Sequence, residues 1–150
     1  HRAPRPATMG FTWSCPGKTD EAEEISKEPV LLNIYDIGTS GGGHCMNSLL
    51  RYLGTGVFHC GVELYDSEWS FSDTTSGKGS GVFRCKPRKC RGHTFYESIL
   101  MGRTELSRSA AMSIIEASKS EWRTHDYHVL KRNCCHYSED LCRKLGVGAI

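Results

Sequence analysis

The sequence predicts an α+β domain in which a mainly antiparallel sheet packs against helices. Three observations predict it. Apolar residues recur with the two-residue period of strands through most of the chain, the connections between these runs are too short for crossover helices, and the longer helical pattern falls after the strands. A chain of 150 residues, 38% of them hydrophobic, is sized for one domain with a real core. Nineteen Lys and Arg against seventeen Asp and Glu leave a formal charge of +2, which gives no argument for a nucleic-acid or anionic-membrane partner. No apolar run approaches the roughly 18 residues of a membrane span.

Residues 1–28 are rich in Pro, Gly, Thr, Lys and Glu without apolar periodicity, the pattern of a flexible leader, and a folded domain is expected over 29–150. Val30 to Asp36 is a strand-forming run closed by Gly38 and the Gly41-Gly42-Gly43 turn. Met46, Leu49, Leu50 and Leu53 follow at helical spacing, with Gly54 and Gly56 ending a short amphipathic helix. Phe58, Cys60, Val62 and Leu64 alternate as in a half-buried strand, and Glu68 to Ser72 reads as its hairpin partner. Val82 to Cys85 and Phe95 to Met101 are two further strands, separated by the basic loop Lys86 to His93. Ala110, Ala111, Ile114, Ile115, Ser118 and Trp122 form a helical stripe that Ser107 caps. Tyr127 to Leu130 reads as extended. A last helix starts at Asn133, shows Tyr137, Leu141 and Leu145 on one face, and stops at Gly146.

Eight cysteines are the unusual part of the composition. A chain this size folds without staples, and two of the cysteines are adjacent, so a secreted disulfide framework is disfavoured. Structural zinc is disfavoured too, because no C-x-x-C pair occurs and the nearest approach is Cys85-x4-Cys90. No metal or cofactor is expected. Most thiols are then reduced and packed as small hydrophobes, as suits a cytoplasmic or nuclear protein.

One cysteine stands apart. With Asn133 as N-cap, Cys134 takes the first helical position, where the macrodipole and unpaired N–H groups lower a thiol's pKa and can stabilise an oxyanion. A packed helix start would place it there as well. His59 lies mid-strand opposite the apolar face of Phe58, Cys60, Val62 and Leu64, where an imidazole needs a partner. Paired with Cys134, it would be the base and then the acid of a thiol hydrolase; by itself it reads as a satisfied structural histidine.

Several runs in this order resemble one family: Glu28-Pro-Val-Leu-Leu-Asn-Ile-Tyr-Asp36, Gly54-Thr-Gly-Val-Phe-His-Cys-Gly-Val-Glu-Leu-Tyr65, Glu68-Trp-Ser-Phe71, Ser80-Gly-Val-Phe83, and Tyr127-His-Val-Leu-Lys-Arg-Asn-Cys-Cys-His-Tyr-Ser138. The chain is similar to the PPPDE thiol peptidases, the desumoylating-isopeptidase-like group, nearest its deubiquitinating branch. The resemblance covers about residues 28 to 147. It implies a papain-like fold with the histidine before the cysteine, His59 and Cys134 as the catalytic pair, and conjugates of ubiquitin or a SUMO-like modifier as partners. Two departures stand beside the nucleophile, Cys135 where the family has Asn and Tyr137 where Phe is usual. The family's Ile-Pro-x-Trp-Val segment after Gly146 is not found before Ile150.

Under that reading the expected activity is a cysteine isopeptidase working through an acyl-enzyme. Tyr35 is a candidate oxyanion donor beside the Cys134 backbone N–H, and Gly54 and Gly56 could admit a glycine-rich tail. The same dyad would also serve a thioesterase acting on S-acylated proteins. A non-catalytic modifier-binding module is the third reading, resting on Arg84, Lys86, Arg88, Lys89 and Arg91, which otherwise read as a solvated loop. Trp69 and Trp122 are expected in the core.

Overall fold

A computed structural model describes residues 27–36, 58–74 and 76–150. The expected helix over Met46 to Leu53, the glycines Gly54 and Gly56, and Cys15 and Cys45 lie outside the described residues. Five strands form one antiparallel sheet: β1 (Glu28–Asp36), β2 (Phe58–Leu64), β3 (Ser67–Phe71), β4 (Val82–Cys85) and β5 (Thr94–Thr104), in the order β4-β3-β2-β1-β5. Two helices follow, α1 (Arg108–Glu121) and α2 (Cys134–Lys144), with a short 3-10 turn at Thr124–Asp126 between them. The mixed α+β, antiparallel architecture is as the sequence predicts. No helix among the described residues is long and apolar enough to cross a membrane.

Alternation along the strands sends Val30 and Leu32, Cys60, Val62 and Leu64, Trp69 and Phe71, and Val82 into one buried cluster with Ala111, Ile115, Tyr137, Leu141 and Leu145 from the helices. Trp122 is edge-on to Phe71 and Tyr137, at 5.0 and 5.4 Å between ring centroids. Ser107 caps α1 by accepting from the Ala110 N–H at 3.2 Å. Gly146, at φ +74°, ends α2, with its N–H and that of Val147 donating to the carbonyls of Arg143 and Cys142. The β2–β3 turn is tight, with both Tyr65 and Asp66 at positive φ, which matches the twist of the strands it joins.

Three local expectations differ from the structure. The strand β2 is buried on both faces, since His59 and Gly61 are covered as fully as Cys60 and Val62. Its second face is not solvated because the segment joining β4 to β5 crosses it. Those strands lie at opposite edges, four strand spacings or roughly 19 Å apart, so residues 86–93 run over the sheet instead of forming the solvated loop expected there. Tyr127 to Leu130 is not extended but enters a turn: His128 and Arg132 exchange backbone hydrogen bonds at 2.9 Å, and the Asn133 amide donates to the Val129 carbonyl at 2.7 Å.

Candidate active site

The face of the sheet away from the helices is polar, yet buried. Asn33, Tyr35, His59, Glu68 and Ser70 are each no more than 5% exposed. Glu68 is its centre: the carboxylate accepts from Tyr35 Oη at 2.7 Å, Asn33 Nδ2 at 2.7 Å and the Arg88 backbone N–H at 2.9 Å. Gly61 makes room for it, because a Cβ there would lie 2.6 Å from Glu68 Oε1. Through Arg88, Glu68 ties down the crossing segment, so that this basic stretch is only partly solvated. Cys90 is buried, and His93 stacks on His59 with 4.4 Å between ring centroids.

Cys134 meets His59 where the start of α2 reaches the first residues of β2. Asn133 caps the helix, its Oδ1 accepting from the N–H groups of Cys135 at 3.0 Å and His136 at 3.2 Å. The thiol of Cys134 and the ring of His59 line the same cavity, and each shifts the other's proton affinity. On the other side of the ring, Ser70 Oγ lies 3.1 Å from Nε2 and donates to the Cys60 carbonyl at 2.5 Å. A carbonyl can only accept, so the one Ser70 proton is used there, and Ser70 accepts from Nε2–H. That leaves Nδ1 as the nitrogen for the Cys134 proton.

The electrostatics favour a thiolate–imidazolium pair. Hydrogen bonds from Cys135, then Cys60, with a contribution from His59, hold the Cys134 thiol far below its ordinary range against the opposing effect of burial. Burial alone would lower the His59 pKa, but hydrogen bonding to Cys134 and Cys90 outweighs it and pushes the group up to about 9. Cys135 is pushed up to about 11, chiefly by its hydrogen bond to Cys134, and Cys60 is raised for the same reason. The sulfurs of Cys60, Cys134 and Cys135 all lie within 4.8 Å of one another. Cys60 Sγ donates to Cys135 Sγ at 3.7 Å, and the unusual neighbour Cys135 is the largest influence on the Cys134 thiol. His93 is shifted the other way, lowered by burial and by the nearby charge of His59.

An open cavity of about 370 Å³ gives access to the pair, lined by His59 and Cys134 together with Phe58, Phe83, Cys90, His93 and Tyr127. The expected oxyanion donor Tyr35 does not line it. Its hydroxyl proton is engaged by Glu68, and its ring lies 6.0 Å from that of His59. Arg84 and Arg91 line the cavity, whereas Lys86 and Lys89 are exposed. Trp69 and Trp122 are buried in the core as expected. All six described cysteines are free.

The profile of the "PPPDE putative peptidase domain" matches residues 28–150. The chain belongs to the PPPDE family. It is 34% identical over 131 residues to a DeSI-like protein of Arabidopsis thaliana, covering 85% of this chain and 55% of that protein. It is also 34% identical over 144 residues to a desumoylating isopeptidase 1 homolog of Caenorhabditis elegans, covering 93% of this chain and 41% of the relative. A DeSI-like protein of Schizosaccharomyces pombe is 28% identical over 110 residues. The chain thus spans about half the length of the curated relatives it matches.

Within this PPPDE domain, sequence reasoning overlooked Ser70, Glu68, Cys90 and His93. A signal existed for the first two. In a strand, Ser70 and Glu68 share a face, and the mid-strand glycine Gly61 marks a close approach from a neighbour. For Cys90 and His93 the run of basic residues drew the reading toward solvent, and nothing local in that run reveals that it crosses the sheet.

Proposed function

We propose that this PPPDE chain is a cysteine isopeptidase that cleaves the bond between the C-terminal glycine of ubiquitin or a SUMO-like modifier and a substrate lysine. The observation that carries this reading is the helix-start Cys134 and the strand residue His59 lining one open cavity, electrostatically coupled to each other. A helix-start cysteine facing a strand histidine is the papain-like arrangement, here with the histidine first in sequence. The Cys134 thiolate attacks the glycine carbonyl, and the oxyanion is met by the Cys134 backbone N–H, one of the free donors of the first helical turn. His59 Nδ1–H protonates the departing lysine amine. The imidazole then takes a proton from water, whose attack on the thioester releases the modifier and restores the thiolate. The names of the relatives support a SUMO-type modifier, and the free state of the six described cysteines suits a reducing compartment, cytoplasm or nucleus.

The test is to incubate the chain with ubiquitin and SUMO probes bearing C-terminal vinyl sulfones and to map the adduct by mass spectrometry. Labelling at Cys134 that disappears in Cys134→Ala and falls at least about a hundredfold in His59→Ala is the expected result. An adduct at Cys135, or turnover that survives Cys134→Ala, overturns it. An acyl-thioester substrate run in parallel identifies a thioesterase if it alone is turned over.

A further inference from the structure

Beside the thiolate pair, a second set of donors converges on the same imidazole. One ligand atom from each of His59, Cys90 and His93 can be chosen so that all three lie within 4.8 Å of one another. Cys90 and His93 come from one turn: the His93 N–H donates to the Cys90 carbonyl at 3.4 Å, and Gly92 between them takes φ +80°. The spacing Cys90-x-x-His93 lets one short loop supply two ligands to the same ion. His93 Nδ1 is buried and has no hydrogen-bond partner, an unusual state for a ring nitrogen in a polar pocket. None of this is required by the peptidase chemistry, which uses neither Cys90 nor His93.

We propose that His59, Cys90 and His93 form a Zn2+ site that switches the Cys134–His59 pair off. One thiolate and two imidazoles are a soft set that selects Zn2+ over Ca2+ or Mg2+, and three protein ligands leave the fourth tetrahedral position to the cavity that Cys134 also lines. Ser70 engages Nε2 of His59, so the ion takes Nδ1, the nitrogen that receives the thiol proton. The rings of His59 and His93 are nearly parallel, 13° apart, and parallel stacked rings cannot both point at one ion. Capture therefore turns the half-buried His93 ring out of the stack, beside the glycine of its turn. Metal binding here rests on the convergence of the three side chains and the unpartnered His93 nitrogen, while its inhibitory effect rests on the isopeptidase reading.

The experiment titrates the reduced, chelator-stripped full chain with Co2+ and follows thiolate-to-cobalt charge-transfer absorption. One equivalent should bind, with tetrahedral visible bands, and Zn2+ should displace it. Cys90→Ser and His93→Ala should each weaken binding at least about tenfold, whereas Cys135→Ser and Cys85→Ser should change it less than about twofold. In the wild type, Zn2+ should slow alkylation of Cys134 by iodoacetamide about tenfold or more, and His93→Ala should remove that protection. His93 is partly exposed, so His93→Ala keeps the test decisive if Cys90→Ser melts early by circular dichroism. No saturable charge-transfer band, binding indifferent to both variants, or binding lost in Cys135→Ser overturns the site. Binding without protection of Cys134 overturns the switch. A chain that binds Co2+ as described but ignores both modifier probes sinks the isopeptidase reading and leaves the metal site standing.

Discussion

Ser70 has one proton and two neighbours, and that count sets the protonation of the site. Because the hydroxyl donates to the Cys60 carbonyl, His59 must present Nε2–H to Ser70 and Nδ1 to Cys134. Ser70→Ala leaves both groups unpaired, and an expected loss of about 1–3 kcal/mol should appear in denaturant midpoints. Activity should fall on the order of tenfold as the ring loses its orientation, with the alkaline limb of the pH–rate profile moving to lower pH because the imidazolium loses an acceptor. The wild-type profile follows from the raised His59 pKa. The imidazolium is present below about 9 and lost above it, so kcat/KM should hold through neutral pH and decline as pH passes that value. Cys135 is the largest influence holding the Cys134 thiol down, so Cys135→Ala should raise its pKa. The rate of iodoacetamide alkylation at mildly acidic pH should then drop.

Among the elements, α2 and its preceding turn are one device. Asn133 caps the helix with Oδ1 and ties the turn with its amide, so a single side chain holds the thiol and the approach to it. Asn133→Ala should cost about 1–2 kcal/mol, read from thermal or denaturant unfolding. Its effect on alkylation of Cys134 should exceed that of an equally destabilising change at the far end of the helix. The strand β2 depends on the missing side chain at Gly61. Gly61→Ala would drive a methyl into the buried Glu68, and we expect a loss of about 1–3 kcal/mol in chemical denaturation.

For the whole molecule, the decisive feature is that the inner strands β2 and β3 are covered twice, by helices on the apolar face and by the 86–93 crossing on the polar one. Glu68 holds the crossing down, and replacing it with Ala would strand the Asn33, Tyr35 and Arg88 donors in a closed space. The expected cost is about 3 kcal/mol or more, with Cys85 and Cys90 becoming open to alkylation in the native state. Periodicity, caps and glycine stops are local properties, and they were enough to predict the strands, α1 with Ser107, α2 with Asn133, and the antiparallel character of the sheet. They also marked Cys134 by its helix-start position and His59 as a polar ring in need of a partner. Two of the missed features share one cause. The tie of Tyr35 to Glu68 and the placing of Cys90 and His93 against His59 involve residues far apart in the chain, whereas the turn at His128 to Arg132 is a local one that the apolar pattern of Tyr127 to Leu130 does not show. Alternation along a strand says which residues share a face, but what covers that face depends on strand order. Strand order was decided only when the chain folded, because the pairing of β1 with both β2 and β5 sent residues 86–93 across the sheet and over the imidazole.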